Sequence, residues 1–276
     1  MTIWIFGDSY AQSAQETFYD LKDRPLTWVE HLSKLSGMKI DGEARPGVSQ
    51  DYLYNAFRLK IDQMKKGDVV VFIHTESQRR WFFKDRPEIS NLWMNTFGKL
   101  VKKDEAKAIE AYKKYLYNPM LGGCITEMLS TFVNTICMAK QMKMIQIPGF
   151  ELEERLIHNP YCTVTGNLMN ISLGEFKDSK LRNKCFDEAQ GIDMRLNHMT
   201  WPNHEKLAIA IHKSLETREP LDLSSISFDK NVYNTVSEYL RYGKEYFEYF
   251  TYTYDESNLK RKMYSINDEI LFKYEL

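Results

Sequence analysis

Asp68-Val69-Val70-Val71-Phe72-Ile73 is the stretch on which the fold turns. Its five consecutive apolar residues suit a strand at the centre of a sheet, buried on both faces. Thr2 to Phe6 is a second short apolar run, ending at Gly7, and Met144 to Ile147 a third, halted by Pro148-Gly149. Met38 to Ile40 reads as a weaker strand. Helical spacing fills the intervals. Leu26, Val29, Leu32 and Leu35 recur three apart before Gly37, and Tyr52, Ala56, Leu59 and Met64 precede Gly67. Between about Lys84 and Met120 the pattern turns charged and helical, notably from Asp104 to Tyr117. Ile125, Met128, Leu129, Phe132, Ile136 and Ala139 then mark a long amphipathic helix. Thr200 suits the cap of a helix running to about Leu215, with Ala208, Ile211 and Leu215 inward. Strand–helix alternation of this kind predicts an α/β fold whose parallel sheet is covered on both faces.

The composition agrees with a folded chain. At roughly 150 residues per domain, 276 residues leave room for one large domain or one domain with an appendage. Apolar residues at 43% and charged residues at 27% exclude disorder as the main state. A net charge of −1, from 37 basic and 38 acidic side chains, argues against a nucleic-acid partner held by counterion release. No window approaches 18 uninterrupted apolar residues, so no membrane span is expected. Met1-Thr2-Ile3-Trp4-Ile5-Phe6 lacks the flanks of a signal peptide, and Cys124, Cys137, Cys162 and Cys185 include no C-x-x-C pair. Reduced thiols in a cytoplasm follow as the expectation, with no metal and no organic cofactor.

A boundary is expected near Arg218-Glu219-Pro220, where the composition shifts. Beyond it the chain is rich in Tyr, Glu and Lys, as in Tyr246-Phe247-Glu248-Tyr249-Phe250. Residues 219–276 read as an extension packed on the main domain; the alternative is a homodimer or partner surface, since tyrosine suits interfaces.

Chemistry enters where the first strand ends. Gly7-Asp8-Ser9 places a serine just past the carboxyl end of the sheet, where open α/β folds put their sites. Asp and Ser there equally suit a turn and helix cap. Asn197-His198-Met199-Thr200 puts an imidazole two residues before a helix cap, in a loop from which it can serve a serine hydroxyl as general base. His204 falls on the same helical face as Ala208 and Ile211 and reads as a packed residue. Arg45-Pro46-Gly47-Val48-Ser49-Gln50 supplies a glycine turn whose backbone N–H is available to the same cleft.

Together these segments resemble the SGNH (GDSL-type) hydrolase family over about residues 1–217. The resemblance implies a flavodoxin-like three-layer α/β/α sandwich and an ester hydrolase acting on an acyl or O-acetyl group, on carbohydrate or lipid. It implies Ser9 as nucleophile, His198 as base, and Gly47 with the Ser9 amide as oxyanion donors. The family's third block carries an Asn after the third strand; here His74-Thr75-Glu76-Ser77 follows, placing Glu76 at that position, with Thr75, Ser77 or Gln78 as a substitute donor. The family's acid precedes the histidine by three residues, where this chain has Arg195; the nearest carboxylate is Asp193, the provisional orienter, and the alternative is a backbone carbonyl behind the ring, leaving a Ser–His pair. Variants of these blocks are similar to hydrolase-like proteins of tailed bacteriophages, which implies a host cytoplasm or virion. A catalytically silent binding or structural module is the alternative.

Arg79-Arg80-Trp81-Phe82-Phe83 follows the central strand at the same edge. It reads either as a cleft lining, with an arginine taking an anion and aromatics stacking on a sugar, or as an anchor for the charged insertion at about 84–120. His74 is an alternative base or a hydrogen-bonded residue near the site.

Overall fold

The computed structural model describes residues 1–13, 26–87, 90, 102–150, 157–188, 199–226, 233–238 and 240. Four six-residue strands form one sheet: β1 (Thr2–Gly7), β2 (Lys39–Ala44), β3 (Val69–His74) and β4 (Lys143–Pro148). They lie in the order β2-β1-β3-β4, all parallel, with Ile3 opposite both Ile40 and Val69 and Phe72 opposite Gln146. That is the flavodoxin-like order, in which the chain reverses direction across the sheet between β1 and β3.

The two apolar faces of each central strand go to different layers. Ile3, Ile5, Val71, Ile73, Ile145 and Ile147 pack on one side against α1 (Trp28–Ser36) and α7 (Trp201–Thr217). Trp4, Phe6, Val70, Phe72 and Met144 pack on the other against α2 (Gln50–Lys60) and α4 (Pro119–Ala139). The result is the three-layer α/β/α sandwich that the alternation predicts. Burial of both faces explains why β3 is an unbroken apolar run. β2 lies at one edge of the sheet, opposite β4, and its exposed and partly buried residues give it a weak apolar signal, although it runs past Ile40 to Ala44.

Helix starts and stops follow local chemistry. Thr27 and Glu30 form a capping box at α1, and Gly37 ends it in the left-handed conformation at φ 68°. Asn118 caps α4 by accepting from the Met120 amide at 3.0 Å, with Pro119 at the first helical position. α4 is long and apolar enough, by length and composition, to cross a membrane, a feature that a search for uninterrupted apolar runs passes over. It lays Leu129, Val133 and Cys137 against the sheet.

The charged insertion contains α3 (Lys103–Tyr115), tied to the segment after β3 by an Arg86–Glu105 ion pair at 2.7 Å. Between β4 and α7 lie a two-residue strand β5 (Val164–Thr165), α5 (Leu168–Leu173) and α6 (Ser179–Glu188). β5 pairs in parallel with β6 (Leu221–Asp222), and Leu221 and Leu223 join the α1/α7 core. Tyr233 bridges to the α5–α6 junction: its amide donates to Glu175 O at 2.9 Å and its carbonyl accepts from Lys177 N at 3.1 Å. Within the extension, Leu221, Leu223 and Tyr233 therefore pack on the main domain, while residues 227–232, 239 and 241–276 lie outside the described residues.

Candidate functional site

A doubly wound sheet opens a crevice at the carboxyl ends of the two strands where its connections diverge, here β1 and β3. Asp8, the first residue past β1, is fully buried. One of its oxygens caps a 3-10 turn (Ser9–Ala11) by accepting from the Tyr10 amide at 3.1 Å. The other accepts from Thr75 Oγ1 at 2.9 Å and from Arg79 Nη1 at 3.3 Å. The Arg79 Nε donates to Glu76 Oε2 at 3.0 Å, and the guanidinium lies 4.8 Å from the centre of the Phe150 ring. Asp8 and Arg79 thus neutralise one another below the surface, with hydrogen bonds on both partners, the arrangement in which a buried ion pair is tolerable.

Ser9 stands out by contrast. From Ile3 to Ala11 every residue is buried except Ser9, which is partly exposed. The turn after β2 closes on the same edge: the Arg45 amide donates to Gly7 O at 3.1 Å, and Val48 O accepts from Arg79 Nη1 at 3.5 Å. Gly47 takes φ 72°, which a residue without Cβ adopts freely, and its carbonyl accepts from Ser90 Oγ. The structure therefore brings Ser9, Gly47, Thr75, Glu76 and Arg79 to one edge of the sheet. Thr75 and Glu76 turn their side chains inward to Asp8 and Arg79.

His198 and Asp193 lie outside the described residues. The residues that follow them do not. Met199 is fully buried in the α1/α7 core. Thr200 donates through its amide and hydroxyl to Glu175 Oε1 at 2.7 and 2.6 Å, and Asn203 Nδ2 donates to the same oxygen at 2.7 Å. A buried carboxylate at a helix N-terminus is favoured by the helix dipole. Trp28 then links the start of α7 to the serine turn. Its indole Nε1 donates to Tyr10 O at 2.6 Å, and its amide donates to His204 Nδ1 at 3.1 Å. His204 is a packed, hydrogen-bonded residue, as its helical face implies.

His74 is fully buried and hydrogen-bonds Gln146 Oε1 through Nε2 at 2.8 Å. Gln146 Nε2 donates to the carbonyls of Ser130 and His158 at 3.0 and 2.8 Å, so its Oε1 is the acceptor and His74 Nε2 carries the proton. Burial pushes the His74 pKa down to about 4, against a smaller opposing effect of the Gln146 bond. The ring is committed to a neutral structural network.

Sequence reading missed Glu175 and Trp28, because neither carries a local signal; both act across more than twenty residues or between elements. Asp8 was legible only as a turn former. No protein-family model matches the chain, and no curated protein matches it.

Proposed function

We propose that the chain is an ester hydrolase in which Ser9 attacks the substrate carbonyl. The observation that carries this reading is the placement of Ser9: the one partly exposed residue in a buried run, at the β1/β3 crevice. In this reading the Ser9 and Gly47 amides face the developing oxyanion, which a preorganised pair of donors stabilises more than it does the ground state. His198 takes the hydroxyl proton and returns it to the leaving group, with Asp193 as the provisional orienter. The hydrogen-bond path from Tyr10 through Trp28 to His204 supports this assignment, because it tethers the helix that follows His198 to the turn that holds Ser9. The Asp8–Arg79 pair fixes the floor beneath the serine.

One observation favours a second reading. Thr75 and Glu76 are turned toward Asp8 and Arg79, so the segment after β3 presents neither side chain as an oxyanion donor in this arrangement. A catalytically silent module that binds an ester or glycan at the same crevice is consistent with that. Labelling with a fluorophosphonate and turnover of p-nitrophenyl acetate separate the two. Wild type labels at Ser9 and hydrolyses the ester at least a hundredfold faster than Ser9→Ala; equal rates, with no label, exclude the hydrolase.

A further inference from the structure

Arg80 follows the site arginine in sequence but is not used by the Ser9 chemistry. Its side chain is buried, with the residue only 6% exposed. Nη1 donates to the carbonyls of Ser77 and Arg79, both at 2.6 Å. Nε and Nη2 are buried and have no acceptor among the described residues, none of whose carboxylates forms an ion pair with the guanidinium. Nε–H and Nη2–H form the side-on fork of the guanidinium, two parallel donors spaced to match two oxygens of one anion.

The fork lies on the first turn of α4. A Cβ built on Gly122, the fourth residue of that helix, would come 3.2 Å from Arg80 Nη2 and 2.2 Å from Ser77 O, so only glycine lets the loop and the guanidinium seat there. The first turn of α4 carries no acidic residue. A 21-residue helix presents partial positive charge at this end, and here it meets a buried cation. Two positive sources in contact, with an unanswered pair of donors, are strongly unfavourable without a counter-charge. We propose that the Arg80 fork, with the N-terminal turn of α4, is a receptor for a small oxyanion, a phosphate or carboxylate group. It is a binding site separate from Ser9 and does not depend on the hydrolase reading.

The test is isothermal titration of the full chain with inorganic phosphate and, separately, with acetate, at ionic strength held constant with chloride. One saturable site per chain is expected. Tighter binding of phosphate identifies a phosphate group as the ligand chemistry, and tighter binding of acetate a carboxylate. Arg80→Gln should abolish the site, and Arg80→Lys, which keeps the charge but loses the fork, should weaken it at least tenfold. Absence of saturable binding for both anions, or undiminished binding by Arg80→Gln, overturns the proposal. Should the Gln variant fail to fold, undiminished affinity in Arg80→Lys overturns it equally. Because the titration reads no turnover, its result stands whether or not Ser9 proves nucleophilic.

Discussion

Glu175→Ala tests how the start of α7 is held. Glu175 is fully buried, and its Oε1 accepts from Thr200 N, Thr200 Oγ1 and Asn203 Nδ2 at 2.7, 2.6 and 2.7 Å. Thr200 and Asn203 are themselves buried, so truncation strands three donors away from water. A buried donor left without a partner costs about 1–3 kcal/mol. The three share one acceptor and relax together, so the sum should fall near 3–5 kcal/mol, as for a broken buried charge network. In a chain of this size 1 kcal/mol moves the melting temperature by about 2–4 °C, which gives a fall of about 6–20 °C. Glu175→Gln keeps an acceptor oxygen in place and should lose only about 1–2 kcal/mol. Thermal and urea unfolding followed by circular dichroism measure both variants. An alanine variant within about 1 kcal/mol of wild type, or a glutamine variant as damaged as the alanine, would refute the reasoning.

Three further outcomes follow from the geometry. Gly42 sits in β2 at φ 127°, and a Cβ there would lie 2.0 Å from Ile5 O, so Gly42→Ala should destabilise by about 2–5 kcal/mol in urea unfolding or prevent folding. A His74 pKa lowered to about 4 means that the unfolded chain, with its imidazole near 6.5, binds the extra proton across that window. Stability from this group is complete above about pH 6.5 and is lost progressively toward pH 4, by about 3 kcal/mol; the pH slope of wild type measured against His74→Gln reads it directly. Asp8→Ala leaves Glu76 as the one carboxylate on the Arg79 guanidinium among the described residues, and should cost about 2–4 kcal/mol; adding Arg79→Met should restore at least 1 kcal/mol of that in a double-mutant cycle, and simple additivity would show that the pair is not coupled.

Much of the site's frame was legible because it is local. Gly7-Asp8-Ser9 follows a short β-rich apolar run that reads as a buried strand, which puts the serine at a sheet edge. Gly47 lies in a turn whose sequence announces it. Thr75, Glu76 and Arg79 follow the strongest strand, and their presence at that edge was therefore predictable. Their mutual pairing was not. Whether Arg79 meets Asp8, Glu76 or a ligand depends on the separation of β1 and β3, a distance that neither segment encodes. The apolar pattern of β2 stops at Ile40 because Asp41, Gly42 and Glu43, exposed or only partly buried at that edge, interrupt it.

By itself the sequence determined the layer architecture, because the period of apolar residues reports how many faces each element buries. It also determined which residues stand at strand and helix ends, since glycine, proline and capping side chains act within a few positions. Tertiary structure alone decided that Asp8 and Arg79 neutralise one another, that Glu175 caps a helix twenty-five residues away, and that the Arg80 fork meets a helix terminus without a partner among the described residues. These are pairwise contacts between groups far apart in the chain, and their energies depend on separations of a few tenths of an ångström that only the packed sheet and its helices set.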